Sequence, residues 1–200
     1  MGAAYQLWDY RSEADYLTAE RLGLEKHEYF QGQVTAMAGA RLVHNKVQAN
    51  AQIALGRRLQ SNDCDTLGSD MRVHVPVLAF YTYPDVVVAC GELQLLDNQF
   101  DTLLNPTLIV EVLSPSTRAY DLGEKYARYR AIASLKYYLV LDSARVYARL
   151  HTRSDWPGDW PTTEFCELED VIPLPDLATE LPLREVYRRV RFDPALMRVV

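Results

Sequence analysis

Apolar positions along the 200-residue chain follow two rhythms. From Arg41 to about Ser61, Val43, Val47, Ala51, Leu55 and Leu59 recur four apart, which predicts one helix with a single buried stripe. Ser12 to Leu24 predicts an earlier helix, capped by Ser12, with Leu17 and Leu22 inward and Gly23 near its end. Elsewhere the period is that of strands. His27 to Met37 alternates as a strand pair turning near Gln31-Gly32, and Ala38-Gly39-Ala40 connects it tightly to the long helix. Short strands are expected over Thr66 to Val75 and Tyr83 to Ala89, then a polar loop over Asp97 to Pro106. Leu108 to Leu113 and Tyr137 to Leu141 are continuous apolar runs, the pattern of buried strands, with a helix expected between them from Arg118 to about Ile132.

The tail is rich in Pro and Trp (Trp156-Pro157-Gly158-Asp159-Trp160-Pro161) and ends in a short amphipathic helix near Leu183 to Val190. The order implies an α/β fold, a central mixed sheet flanked by helices. It reads as one domain over 1–200, with a core of about 16–142 and a C-terminal extension of about 143–200. The apolar tail offers a surface for a second subunit, so a homodimer is expected.

Composition changes this picture little. At 48% hydrophobic and 24% charged, the chain can build an ordinary core. Its net charge of -6 argues against a general nucleic-acid coat and leaves room for a local basic groove. Cys64, Cys90 and Cys166 are unevenly spaced with no CxxC, so reduced thiols in a cytoplasmic protein are expected rather than a zinc cage or a disulfide framework. No apolar run approaches the ~20 residues of a membrane helix. Met1 to Tyr10 lacks the charged start and apolar stretch of a signal peptide.

Two acids break the apolar runs. Glu111 sits inside Leu108-Ile109-Val110-Glu111-Val112-Leu113, where a carboxylate is costly unless compensated. Asp85 opens the run Val86-Val87-Val88 after Tyr83-Pro84. On neighbouring antiparallel strands the two would lie roughly 5 Å apart, close enough to share a hard cation such as Mg²⁺ or Mn²⁺. The competing reading pairs Glu111 with a basic residue and leaves Asp85 to cap a turn. Lys125 shares a helix face with Asp121 and Tyr129, at i, i+4, i+8, and either reaches the acids or makes an exposed pair with Asp121. His44 is either a base or phosphate contact near a helix start or a structural histidine. Glu28 is either a further acid of the site or an exposed strand-edge residue. Arg118 to Lys136, with Arg128 and Arg130, is the most basic region beside these residues, fitting either a phosphate backbone or a solvated helix. Motifs for serine hydrolases, P-loop NTPases and dinucleotide binding are absent.

Pro84-Asp85, the Glu111 strand and the lysine-bearing segment Tyr120-Asp121-Leu122-Gly123-Glu124-Lys125 together resemble the PD-(D/E)xK nuclease superfamily. More narrowly, Tyr83 to Val88 with Leu108 to Thr117 is similar to the Uma-type restriction endonuclease family of bacteria, formerly a domain of unknown function, over about Tyr16 to Tyr187. The resemblance implies a restriction-endonuclease-like core and Mg²⁺-dependent phosphodiester hydrolysis of DNA. It implies Asp85 and Glu111 as metal ligands, with the Val112 carbonyl completing the site. The superfamily's lysine would fall at position 113, which here is Leu113; Lys125 is the substitute. Three functions follow: a metal-dependent endonuclease, a catalytically inactive nucleic-acid- or protein-binding dimer on the same fold, and a hydrolase of small phosphate esters.

Overall fold

The computed structural model describes residues 11–37 and 39–192. The readings of Met1 to Tyr10 and of Ala38 fall outside them. The chain runs α1 (Glu13–Leu22), β1 (His27–Phe30), β2 (Gln33–Ala36), α2 (Leu42–Leu59), β3 (Cys64–Gly68), β4 (Arg72–Val75), β5 (Phe80–Thr82), β6 (Val86–Cys90), β7 (Thr102–Leu103) and β8 (Leu108–Leu113). A helix over 118–129 follows, in three pieces: α3 (Arg118–Tyr120), a π turn (Asp121–Lys125) and α4 (Tyr126–Tyr129). Then come β9 (Tyr137–Asp142), β10 (Ala148–Thr152), β11 (Thr162–Phe165), β12 (Val171–Leu174), β13 (Thr179–Pro182) and α5 (Leu183–Val186).

The central sheet has the order β11-β10-β9-β8-β6-β3. Only β8 and β9 pair in parallel, because the helix over 118–129 carries the chain back between them. A second sheet, β2-β1-β5-β4-β7, covers part of one face. The alternation along β8 decides what lies where. Leu108, Val110 and Val112 pack with Val47, Ala51 and Leu55 of α2, whereas Ile109 and Leu113 pack with Val73, Phe80 and Tyr129 on the opposite side. Glu111 therefore belongs to the layer that holds the second sheet and the 118–129 helix.

Several expectations change. The run Thr66 to Val75 is two strands in different sheets, broken by the turn at Ser69-Asp70. The polar loop Asp97 to Pro106 contains β7, which pairs in parallel with β4 through a buried Leu103. Cys64 and Cys90, directly opposed in the β3–β6 register, form a disulfide, which corrects the expectation of reduced thiols; Cys166 is free and exposed. The tail is core. β10 and β11 extend the central sheet, and Ile172, Leu174, Leu181, Leu183 and Val186 pack under α2. Those apolar side chains are covered within the chain, whereas Trp156, Leu168 and Val171 of the same tail remain exposed. Among the described residues no helix is long and apolar enough to cross a membrane.

His151 on β10 gives the fold a pH dependence. Its ring stacks on Tyr126 with centroids 4.2 Å apart, Nδ1 meets the Thr162 hydroxyl at 2.8 Å, and Nε2 is buried without a hydrogen-bond partner. Burial, aided by the charges of Arg149 and Arg130, lowers its pKa to about 4. The unfolded chain takes up this proton first, so the neutral ring's contribution is whole above pH ~6.5 and is lost as pH falls toward ~4. The loss is on the order of 2 kcal/mol. Urea denaturation of wild type and His151→Gln at neutral and acidic pH checks it. Parallel curves for the two proteins would refute a desolvated imidazole.

Candidate active site

The site lies at the end of the central sheet where β8 finishes and β6 begins. Glu111 is only 4% exposed. Its Oε1 receives the Lys125 ammonium at 2.9 Å and the Tyr129 hydroxyl at 2.8 Å. Lys125, also 4% exposed, meets Glu28 Oε1 at 3.0 Å and Asp121 Oδ1 at 3.9 Å. The i, i+4, i+8 face read from the sequence thus turns inward. The π turn accommodates this by widening the helix between Asp121 and Lys125, and such widened turns recur at functional sites.

Register places Asp85 at the mouth of the same site. Val86 pairs with Val110, so Asp85 comes one step further on, opposite Glu111. Its Oδ2 accepts the Val112 backbone N–H at 2.7 Å and faces His44 Nε2 at 3.3 Å. Gln48, one turn along α2 from His44, donates to the Asp85 carbonyl at 3.0 Å. The Asp85 carboxylate therefore spans the end of the sheet between α2 and Glu111. Its negative charge helps to raise the carboxyl pKa values of both Glu111 and Asp121.

Electrostatics follow from burial and an excess of acid. Burial is the largest influence on Glu111 and pushes its pKa up; Lys125 opposes the rise, and Asp121 and Asp85 add to it. Burial pulls Lys125 down, but the combined pull of Glu111, Glu28 and Asp121 outweighs it and holds the amine well above its ordinary range. Lys125 is a fixed ammonium, a donor rather than a base. Burial favours the neutral form of Glu28 too, but Lys125 and the hydroxyls of Thr82 (2.5 Å) and Tyr120 (2.7 Å) keep it below its ordinary value. Burial keeps Tyr129 protonated and donating.

The structure brings Asp85, Glu111, Lys125, His44 and Glu28 together. Lys125 is not the exposed partner of Asp121, and Glu28 is not an exposed edge residue. Glu111 does have the basic partner its burial demanded, and that partner is Lys125 itself. Val112 touches the site through its N–H. Sequence reasoning gave no role to Thr82, Tyr120 or Tyr129. Thr82 and Tyr120 carry no signal in isolation, while Tyr129 was visible as the next residue on the Lys125 face.

The donor set fits a hard divalent cation. Three carboxylates (Glu28, Glu111, Asp121) meet one lysine, Asp85 stands beside them opposite Glu111, and the contacts of Asp85 and Glu111 each fall on a single oxygen, Oδ2 and Oε1. Among the described residues no three His, Cys, Asp or Glu side chains are gathered as a ready metal cage. The arrangement suits an ion that takes one or two carboxylates and fills its remaining positions with water and phosphate, as Mg²⁺ does.

Known proteins share this fold. A crystal structure from Anabaena variabilis, described as a "putative nuclease belonging to DUF820", superposes with a TM-score of 0.72 at 14% identity, covering 88% of this chain and 97% of that one. That match establishes the fold. Two uncharacterised proteins of Synechocystis sp. are each 34% identical: slr1290 over 181 residues (90% of this chain, 93% of the relative) and sll1609 over 152 residues (76% and 85%). The model of the Uma2 family, described as "Putative restriction endonuclease", matches residues 14–184. With the fold shared and that match spanning most of its length, the chain belongs to the Uma2 family.

Proposed function

We propose that the chain is a metal-dependent DNA endonuclease that hydrolyses phosphodiester bonds. The observation that carries this reading is the convergence of Glu111, Asp85 and the buried Lys125 at one sheet end. Asp85 Oδ1 and Glu111 Oε2, the oxygens left over by the contacts above, would hold Mg²⁺ or Mn²⁺, with the Val112 carbonyl as a further ligand. Bound there, the ion would supply Lewis-acid polarisation of a phosphoryl oxygen and acidify a coordinated water.

The chain's own residues do the rest. Lys125 keeps its three protons and offers N–H donors to the attacking water and to charge that develops on phosphate. Glu28 and Tyr129 hold Lys125 and Glu111 in place. His44 Nε2, against Asp85 Oδ2, would orient that carboxylate and lie beside a phosphate oxygen at the edge of the site. The test is nicking of supercoiled plasmid, expected with Mg²⁺ or Mn²⁺, absent in EDTA, and lost in Glu111→Gln. Undiminished nicking by that variant would remove Glu111 from the mechanism.

A further inference from the structure

The basic segment that the sequence puts beside the site is committed to the fold. Arg118 pairs with Asp142 at 2.5 Å, Arg128 donates to Tyr120 and Glu124, Arg130 donates to the Gly158 carbonyl, and Lys125 lies among acids. A second concentration of positive charge lies across α2. Arg188, Arg189 and Arg191 follow α5 and are exposed. The first turns of α2 and this arm enclose a cavity of about 580 Å³ lined by Leu42, Val43, Lys46, Arg189 and Arg191. Three of those five residues are cations and none is acidic.

The arm is held in place rather than trailing. Lys46 donates to the Arg189 carbonyl at 3.4 Å, and Asn50 donates to the carbonyls of Val186 (2.8 Å) and Arg188 (3.0 Å). Arg189 has φ of 57°, a left-handed conformation that a non-glycine residue keeps only where its surroundings impose it. Lys46 is two residues beyond His44, about 200° around the helix. The cavity is thus on the far side of the start of α2 from Asp85. An α-helix is about 10 Å across, roughly three nucleotides at 3.4 Å of rise per strand. One strand crossing the helix would meet both places.

We propose that this cavity holds a backbone phosphate of the nucleic-acid strand on one side of the bond cut at the Glu111 site, with Lys46, Arg189 and Arg191 as its cations and Leu42 and Val43 against the sugar. The proposal rests on the nuclease reading for its ligand and is tested apart from cleavage. Binding of a labelled DNA duplex is followed by fluorescence anisotropy in EDTA between about 50 and 200 mM salt. Each phosphate contact contributes about 0.9 to the slope of log Kobs against log salt. The variant Lys46→Gln/Arg189→Gln/Arg191→Gln is expected to lose about 0.9 of that slope, the share of one phosphate, and Arg191→Gln alone, at an exposed position, part of it.

Wild-type slopes in both variants would overturn the proposal and leave the nuclease reading intact. No salt-dependent binding by the wild type would also overturn it. A reduced slope in a protein that never nicks plasmid would uphold the cavity assignment and remove the nuclease reading. If inorganic phosphate raises the melting temperature of the wild type but not of the triple variant, and DNA does not bind, the cavity is a small-anion site and the proposal fails.

Discussion

Lys125→Ala is expected to lower folding stability by about 3–5 kcal/mol, the range found when one partner of a buried ion pair is removed. The amine is almost wholly buried and, among the described residues, is the only cation between Glu28, Glu111 and Asp121. Without it those carboxyls must either stay charged in a medium that solvates them poorly or take up protons. The loss should therefore shrink as the pH is lowered, because protonation then relieves the orphaned acids. Adding Glu28→Gln and Glu111→Gln to the alanine variant should recover part of the deficit, and the departure from additivity measures the coupling. Urea titrations with and without the added substitutions provide the check. A loss below about 1 kcal/mol, the scale of an exposed pair, would show that the amine does not anchor this cluster.

Glu111→Gln should behave in the opposite way. Glutamine keeps an oxygen to accept the Tyr129 hydroxyl and the Lys125 ammonium, and it replaces a carboxyl whose charged form burial disfavours. Stability should stay within about 1 kcal/mol of wild type. Nicking should fall on the order of 10³-fold, since the charge that would hold the ion and balance the phosphate is gone. A fall in both stability and activity would point to misfolding instead. Circular dichroism melts beside the plasmid assay separate the two outcomes.

Much of this fold is legible in the sequence because burial leaves a periodic trace. The α2 stripe, the β1–β2 hairpin and the β8 and β9 runs follow from it, and Glu111 stands out because it interrupts one of those runs. What the sequence conceals depends on contacts between distant residues. Cys64 and Cys90 are 26 residues apart yet directly opposed across β3 and β6, and spacing carries no sign of that pairing. β7 owes its place to parallel pairing with β4, and two residues are too few to show alternation. The tail looked like surface because its apolar residues are scattered among prolines and acids, although they fill the space under α2. At the site, the acids and Lys125 were readable as chemical anomalies. Thr82 and Tyr120 were not, since a hydroxyl acquires meaning only once Glu28 is beside it.

The π turn at Asp121–Lys125 holds one residue more than a regular α-helical turn would. Deleting a single residue there would let the turn close to a regular α-helix while α4 beyond it kept its phase. Both sheet acids and Tyr129 would keep their places, and the side chains of the turn itself, from Asp121 to Lys125, would be re-aimed. This protein thus carries its charge partner on a stretch of helix that can shorten without disturbing the strands, so loss of one codon there would silence the site without unfolding the sheet.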